Sequence, residues 1–141
     1  MKDLTSQSKI EKDLEFCNNY WTVLYGSYVN QKYIPSRSDI DVAIISQTKN
    51  QQENFEIWMN SLENLHIDYD LRIFELLPLY IQIDIIKTHT VLFGDPLEIS
   101  EYFYHYRTIW KDMIHRYKNN QFHNVEEKLN LIEKRKKFLV L

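Results

Sequence analysis

Residues 21–45 read WTVLYGSYVNQKYIPSRSDIDVAII, and the fold is decided inside that stretch. WTVLY at 21–25 is a short β-prone run that stops at Gly26. DIDVAII at 39–45 opens on two acids and runs on as apolar residues, which reads as a second strand. Between them a polar stretch with Pro35 and its neighbouring serines marks a loop, and 27–33 reads as a short helix after the glycine. A Gly-Ser pair or a D-x-D is commonplace alone. Here Gly26-Ser27 follows one strand and Asp39-Ile40-Asp41 opens the next.

That placement suits phosphate and metal chemistry. Residues i and i+2 of a strand face the same way, so Asp39 and Asp41 project together about 7 Å apart. Two such carboxylates repel unless a cation lies between them. Mg²⁺ prefers hard oxygen ligands that leave room for water and substrate phosphates. A glycine lets the backbone approach a triphosphate, and the Ser27 hydroxyl and nearby N–H groups can hold phosphate oxygens. The bland alternative is a strand entry decorated by solvated aspartates after a tight turn.

Working outward, residues 1–18 read as a helix with Leu4, Ile10, Leu14 and Cys17 on one face, and 50–65 as another through Phe55, Trp58, Met59 and Leu62. HIDYDLRIF at 66–74 alternates strictly. Ile67, Tyr69, Leu71 and Ile73 share one face, and Asp68, Asp70 and Arg72 share the other. Pro78 suits the first turn of a helix to about Lys87, and TVLF at 90–93 is a fourth strand closed by Gly94-Asp95-Pro96. Beyond Leu97, Tyr102, Phe103, Tyr106, Ile109, Trp110, Met113 and Tyr117 form an aromatic-rich stripe on one long helix. A break at Asn119-Asn120 then precedes a second helix through Val125, Leu129 and Ile132. The expected fold is α/β, a small mixed sheet flanked by helices with a C-terminal helical hairpin, divided as 1–97 and 98–141.

Composition sets the bounds. A chain of 141 residues that is 44% hydrophobic has the material for one domain with a real core. It has no apolar run of membrane-spanning length, its N-terminus is too charged for a signal peptide, and its lone Cys17 cannot form an internal disulfide. A cytoplasmic home is expected. Two glycines are far fewer than usual, so each is expected where backbone geometry demands it. Residues 98–141 hold nine Lys/Arg against six Asp/Glu, leaving the first 97 residues acidic. An acidic body argues against bulk nucleic-acid binding. The five histidines lack metal-ligand spacing, and the basic run 133–137 reads as a solvated helix face.

Gly26-Ser27 followed by Ser38-Asp39-Ile40-Asp41 and Val42-Ala43-Ile44-Ile45 resembles the G-S…D-x-D signature of the DNA polymerase β-like nucleotidyltransferases. The resemblance is greatest to their minimal nucleotidyltransferase (MNT) branch and covers residues 15–97. It implies the nucleotidyltransferase fold and transfer of AMP from ATP to a hydroxyl. Asp39, Asp41 and Asp70 would be the catalytic and metal-holding acids for two Mg²⁺ ions, with Gly26, Ser27, Asp39 and Asp41 binding the nucleotide. Alternation alone does not choose between Asp68 and Asp70. The resemblance chooses Asp70, because the family's acid is followed directly by an apolar run and a helix. The arginine usual after Gly-Ser is absent from Tyr28-Val29-Asn30-Gln31, with Lys32 and Arg37 as its candidate replacements.

In the MNT branch the implied role is an antitoxin that adenylylates a tyrosine of a HEPN toxin partner. The competing readings are a catalytically decayed antitoxin that acts by contact, and a homo-oligomeric enzyme modifying a small molecule such as an aminoglycoside.

Overall fold

The computed structural model describes residues 4–32 and 39–123, with side chains from 7 to 32 and 39 to 119. The remaining loop between the first two strands, the expected second helix of the C-terminal hairpin and the 133–137 run lie outside the described residues. In chain order the elements are α1 (Leu4–Asp13), β1 (Trp21–Tyr25), β2 (Ile40–Ile45), α2 (Gln51–Leu62), β3 (Tyr69–Ile73), α3 (Leu79–Lys87), β4 (Thr90–Phe93) and α4 (Pro96–His123). They build the expected mixed sheet, in the order β3-β2-β1-β4. β1 pairs antiparallel with β2 and β4, and β2 pairs parallel with β3.

β2 is the inner strand on which this depends. Its side chains from Val42 to Ile45 are fully buried. A strand covered on both sides loses polar alternation and becomes a continuous apolar run. On one face Val42 and Ile44 join Leu24, Tyr69, Leu71 and Ile73, together with Ile10 of α1 and Leu14 just after it. α2 closes that face with Ile57 and Trp58, and the Trp58 indole donates to the Leu71 carbonyl at 2.8 Å. Asn50 caps α2 by accepting from the Glu53 N–H at 3.1 Å. Near the far end of the sheet, the Phe74 ring lies 5.0 Å from Phe103 of α4, and Trp21 meets Tyr102 edge-on at 5.8 Å.

Several boundaries differ from the sequence expectation, each for a local reason. The first helix ends at Asp13, and Glu15–Cys17 form a tighter 3₁₀ turn that still buries Leu14 and Cys17. After Gly26 there is only a 3₁₀ turn, Gly26–Tyr28, in place of a longer helix. β3 starts at Tyr69 because the Tyr69 N–H bonds the His66 carbonyl at 3.2 Å, and the His66 ring pairs with Asp68. Ile67 is therefore 87% exposed instead of joining the core. α4 runs through Asn119-Asn120 to His123, with the Asn119 amide reaching back one turn to the His115 ring at 3.2 Å.

The chain divides into two compact units, Met1–Tyr106 and Arg107–Leu141. In the second, Ile109, Met113 and Tyr117 follow one another at helical spacing and are exposed.

One acid ties the first unit together. Glu75 accepts from the Ser46 N–H at 3.0 Å, the Ser46 hydroxyl at 3.1 Å, the Gln47 N–H at 2.9 Å and the Tyr102 hydroxyl at 2.7 Å. It thus anchors both the left-handed turn at Gln47, where φ is 65°, and the start of α4. Glu75→Ala strands these donors and is expected to lower stability by about 3 kcal/mol, read as a fall in the urea midpoint at unchanged slope.

Candidate active site

The site assembles where β1 ends and β2 begins. Tyr25, the last residue of β1, lies opposite Asp41 in the antiparallel register, and Asp70 of β3 lies opposite Asp41 on its other side. Asp41 therefore has Tyr25 on one flank and a second acid on the other, all on the sheet face opposite the Leu24–Val42–Leu71 core. Asp39 is exposed one residue before β2, and its two-residue offset keeps it on Asp41's side of the strand. Arg72, one pleat beyond Asp70, donates from Nε to the Asp70 carboxylate at 3.0 Å. Asp68 stands outside β3, its exposed carboxylate paired with the His66 ring at 3.1 Å.

Gly26 closes the site from the β1 side. Its φ is +74°, in the left-handed region that L side chains rarely adopt. A Cβ there would run into the Asp41 carboxylate, lying 3.1 Å from its Cγ and 3.3 Å from its Cβ. Conformation and space both demand glycine. Gly94 is the second case, with φ +119° and Trp21 and Ile99 against any added Cβ. Ser27 continues the 3₁₀ turn, its carbonyl accepting from the Lys32 N–H at 2.9 Å.

The electrostatics follow from this crowding. Burial first, then the charges of Asp70 and Asp39, raise the Asp41 carboxyl from 3.8 to about 6, with Arg72 acting in the opposite sense. Burial, Asp41 and Asp70 push the Tyr25 phenol up to about 12, so it stays a hydrogen-bond donor at neutral pH. Among the described residues no three His, Cys, Asp or Glu side chains converge as a ready-made metal cage. Mg²⁺ does not need one, since one or two carboxylates plus substrate phosphates commonly hold it. The donor set fits: hard oxygens on Asp39, Asp41 and Asp70, with Asp41 carrying a repulsion that a cation would relieve.

Beside the acids a cleft of about 440 Å³ opens between the glycine turn and α3. Tyr25, Gly26 and Asn30 line one side, and Asp84 and Lys87 the other. Tyr25, Asn30, Arg72, Asp84 and Lys87 were not legible as site residues. Only Arg72 left a signal, its position two residues after Asp70 on a strand.

The comparisons with known proteins give the family and the fold. The family model described as "Polymerase beta, Nucleotidyltransferase" matches residues 9–96. A chain from Methanocaldococcus jannaschii named "Putative protein adenylyltransferase MJ1547" is 47% identical over 109 residues, covering 77% of this chain and 84% of its own. A chain of the solved complex of tri-AMPylated Shewanella oneidensis HEPN toxin with MNT antitoxin superposes with a TM-score of 0.52. It is 18% identical, over 78% of this chain and 87% of that one, and it shares the fold.

The raised Asp41 has a consequence for stability. Between pH 4 and 6 the native protein holds a proton on Asp41 that the unfolded chain has released, so this group's contribution is full at low pH and lost as pH rises through 6. In chelator-treated protein, Asp41→Asn is expected to raise the melting temperature at pH 8 and to give no gain near pH 4. Thermal melts across that range check it.

Proposed function

This chain belongs to the polymerase beta nucleotidyltransferase family, and we propose that it transfers AMP from ATP to a hydroxyl of a protein. The observation that carries this reading is the meeting of Asp41, Asp70 and the left-handed Gly26 turn at one end of the sheet, beside a cleft of about 440 Å³. The adenylyltransferase name of the 47% identical relative supports AMP as the transferred group and a protein as its acceptor.

In the reaction a substrate hydroxyl oxygen forms a bond to the α-phosphorus of ATP, and the bond from that phosphorus to pyrophosphate breaks. Gly26 and Ser27 hold the β- and γ-phosphates through the backbone of the turn, which only a glycine lets approach so near Asp41. Asp39, Asp41 and Asp70 would hold two Mg²⁺ ions through their carboxylate oxygens. When bound, the ions neutralise the triphosphate and make the hydroxyl more acidic. Asp70 takes the hydroxyl proton, and Arg72 fixes its carboxylate from 3.0 Å. The Tyr25 phenol remains protonated beside the acids and donates toward phosphate oxygen.

The acceptor is a tyrosine of a HEPN-type toxin, for which this chain serves as antitoxin. The fold shared with a chain of the HEPN–MNT complex supports that partner. Residues 98–141, which follow the 1–97 catalytic domain in the chain, offer the surface for it.

Asp39→Asn and Asp41→Asn are each expected to cut AMP transfer by more than about tenfold, since loss of a metal ligand removes several kcal/mol of transition-state stabilisation. Asp70→Ala is expected to lower turnover by roughly a hundredfold, the scale of a lost general base, with ATP binding retained. Asp68→Ala, whose carboxylate is engaged by His66, should stay near wild type. Transfer of label from α-labelled ATP to a co-purified partner measures all four.

A further inference from the structure

A triphosphate brought to this site enters a field of like charge. Asp41 and Asp70 stand on the sheet with Asp39 one residue before it, and Asp84 lines the cleft beside them. The C-terminal end of α3 adds the negative end of its dipole. A phosphate needs fixed cations here beyond any the metal ions supply.

Among the described residues the cations near the site are few, and Arg37, the other candidate from the sequence, lies outside them. Arg72 is occupied at 3.0 Å by Asp70. Lys32, a candidate from the sequence, is exposed and is not among the residues that line the cleft. Lys87 does line it, from the last turn of α3, across from Gly26 and Asn30. It is exposed and forms no ion pair among the described residues. Its position in the final helical turn also offsets the dipole.

We propose that Lys87 joins Gly26 and Ser27 in binding the β- and γ-phosphates of the nucleotide, as the cation that replaces the arginine missing after Gly26-Ser27. This rests on the nucleotidyltransferase reading above and adds to it a residue from a different element. A lysine is a compact point charge on a flexible stem, suited to a phosphate chain that shifts as pyrophosphate leaves. An anchor on α3 also explains how a turn reading Tyr28-Val29-Asn30-Gln31 can serve without a cation of its own. Asn30, in the same wall of the cleft, supplies a neutral amide.

The test is calorimetric titration of the full chain with ATP and with AMP, each with Mg²⁺, for wild type, Lys87→Ala, Lys87→Arg and Lys32→Ala. Loss of a charge-assisted contact to phosphate should weaken ATP at least about tenfold in Lys87→Ala, with AMP changed less than about threefold. Lys87→Arg keeps the charge and should remain within about threefold of wild type for ATP, as should Lys32→Ala. Equal melting temperatures across the set confirm that the exposed lysine acts on the ligand and not on folding. A smaller loss of ATP affinity in Lys87→Ala overturns the assignment while wild-type binding leaves the nucleotidyltransferase reading standing. Equal losses for ATP and AMP also overturn it, because Lys87 would then act on the nucleoside half. A wild-type protein that binds no ATP removes the parent reading and this one with it.

Discussion

The contact between Gly26 and the Asp41 carboxylate is the constraint from which the rest of the site follows. A backbone turn can lie this close to a carboxylate only if it has no Cβ and tolerates positive φ. In the proposed reaction, that closeness lets one small volume present backbone N–H groups for phosphate and carboxylate oxygens for metal. Asp41 carries the burden of it. Burial and two acidic neighbours raise its carboxyl from the ordinary 3.8 to about 6. Strain of this kind, offset by packing elsewhere, is common where a site is preorganised.

The offset comes from the sheet. β2 is buried on both faces over Val42–Ile45, held laterally by β1 and β3 and covered by α1 and α2 on one side. At its far end Glu75 gathers Ser46, Gln47 and Tyr102. The strand is therefore rigid behind its acidic tip. The apolar run after Asp41 drives burial, and the two aspartates before it stay at the mouth because charge resists desolvation. One strand serves as both core and active-site scaffold.

Where an element depended on local chemistry, the residues announced it. β1 and β4 run over the stretches their composition marked, and the two glycines both occupy left-handed positions. Where neighbouring side chains compete for the backbone, the elements depart from their local pattern. His66 and Asp68 bend the chain before β3, which sends Ile67 to the surface although alternation places it with Tyr69 and Leu71. Asn119 looked like a helix stop, yet its amide finds His115 one turn back and α4 continues. Such outcomes depend on which hydrogen-bond partner wins, and composition does not rank partners.

Sequence by itself determined the order of the strands along the chain, the glycine, and the pair of acids that share a face, because period-two alternation and backbone sterics act over a few residues. Tertiary structure alone decided which residues meet. Asp70 rather than Asp68 sits level with Asp41 because the parallel register of β2 and β3 says so, and that register is set by apolar side chains further along both strands. Tyr25 faces the same acids through the antiparallel register of β1. Lys87 comes from 60 positions beyond Ser27 and reaches the cleft because α3 returns across the sheet beside the glycine turn. No local pattern encodes such a meeting, since the burial of the whole core sets it.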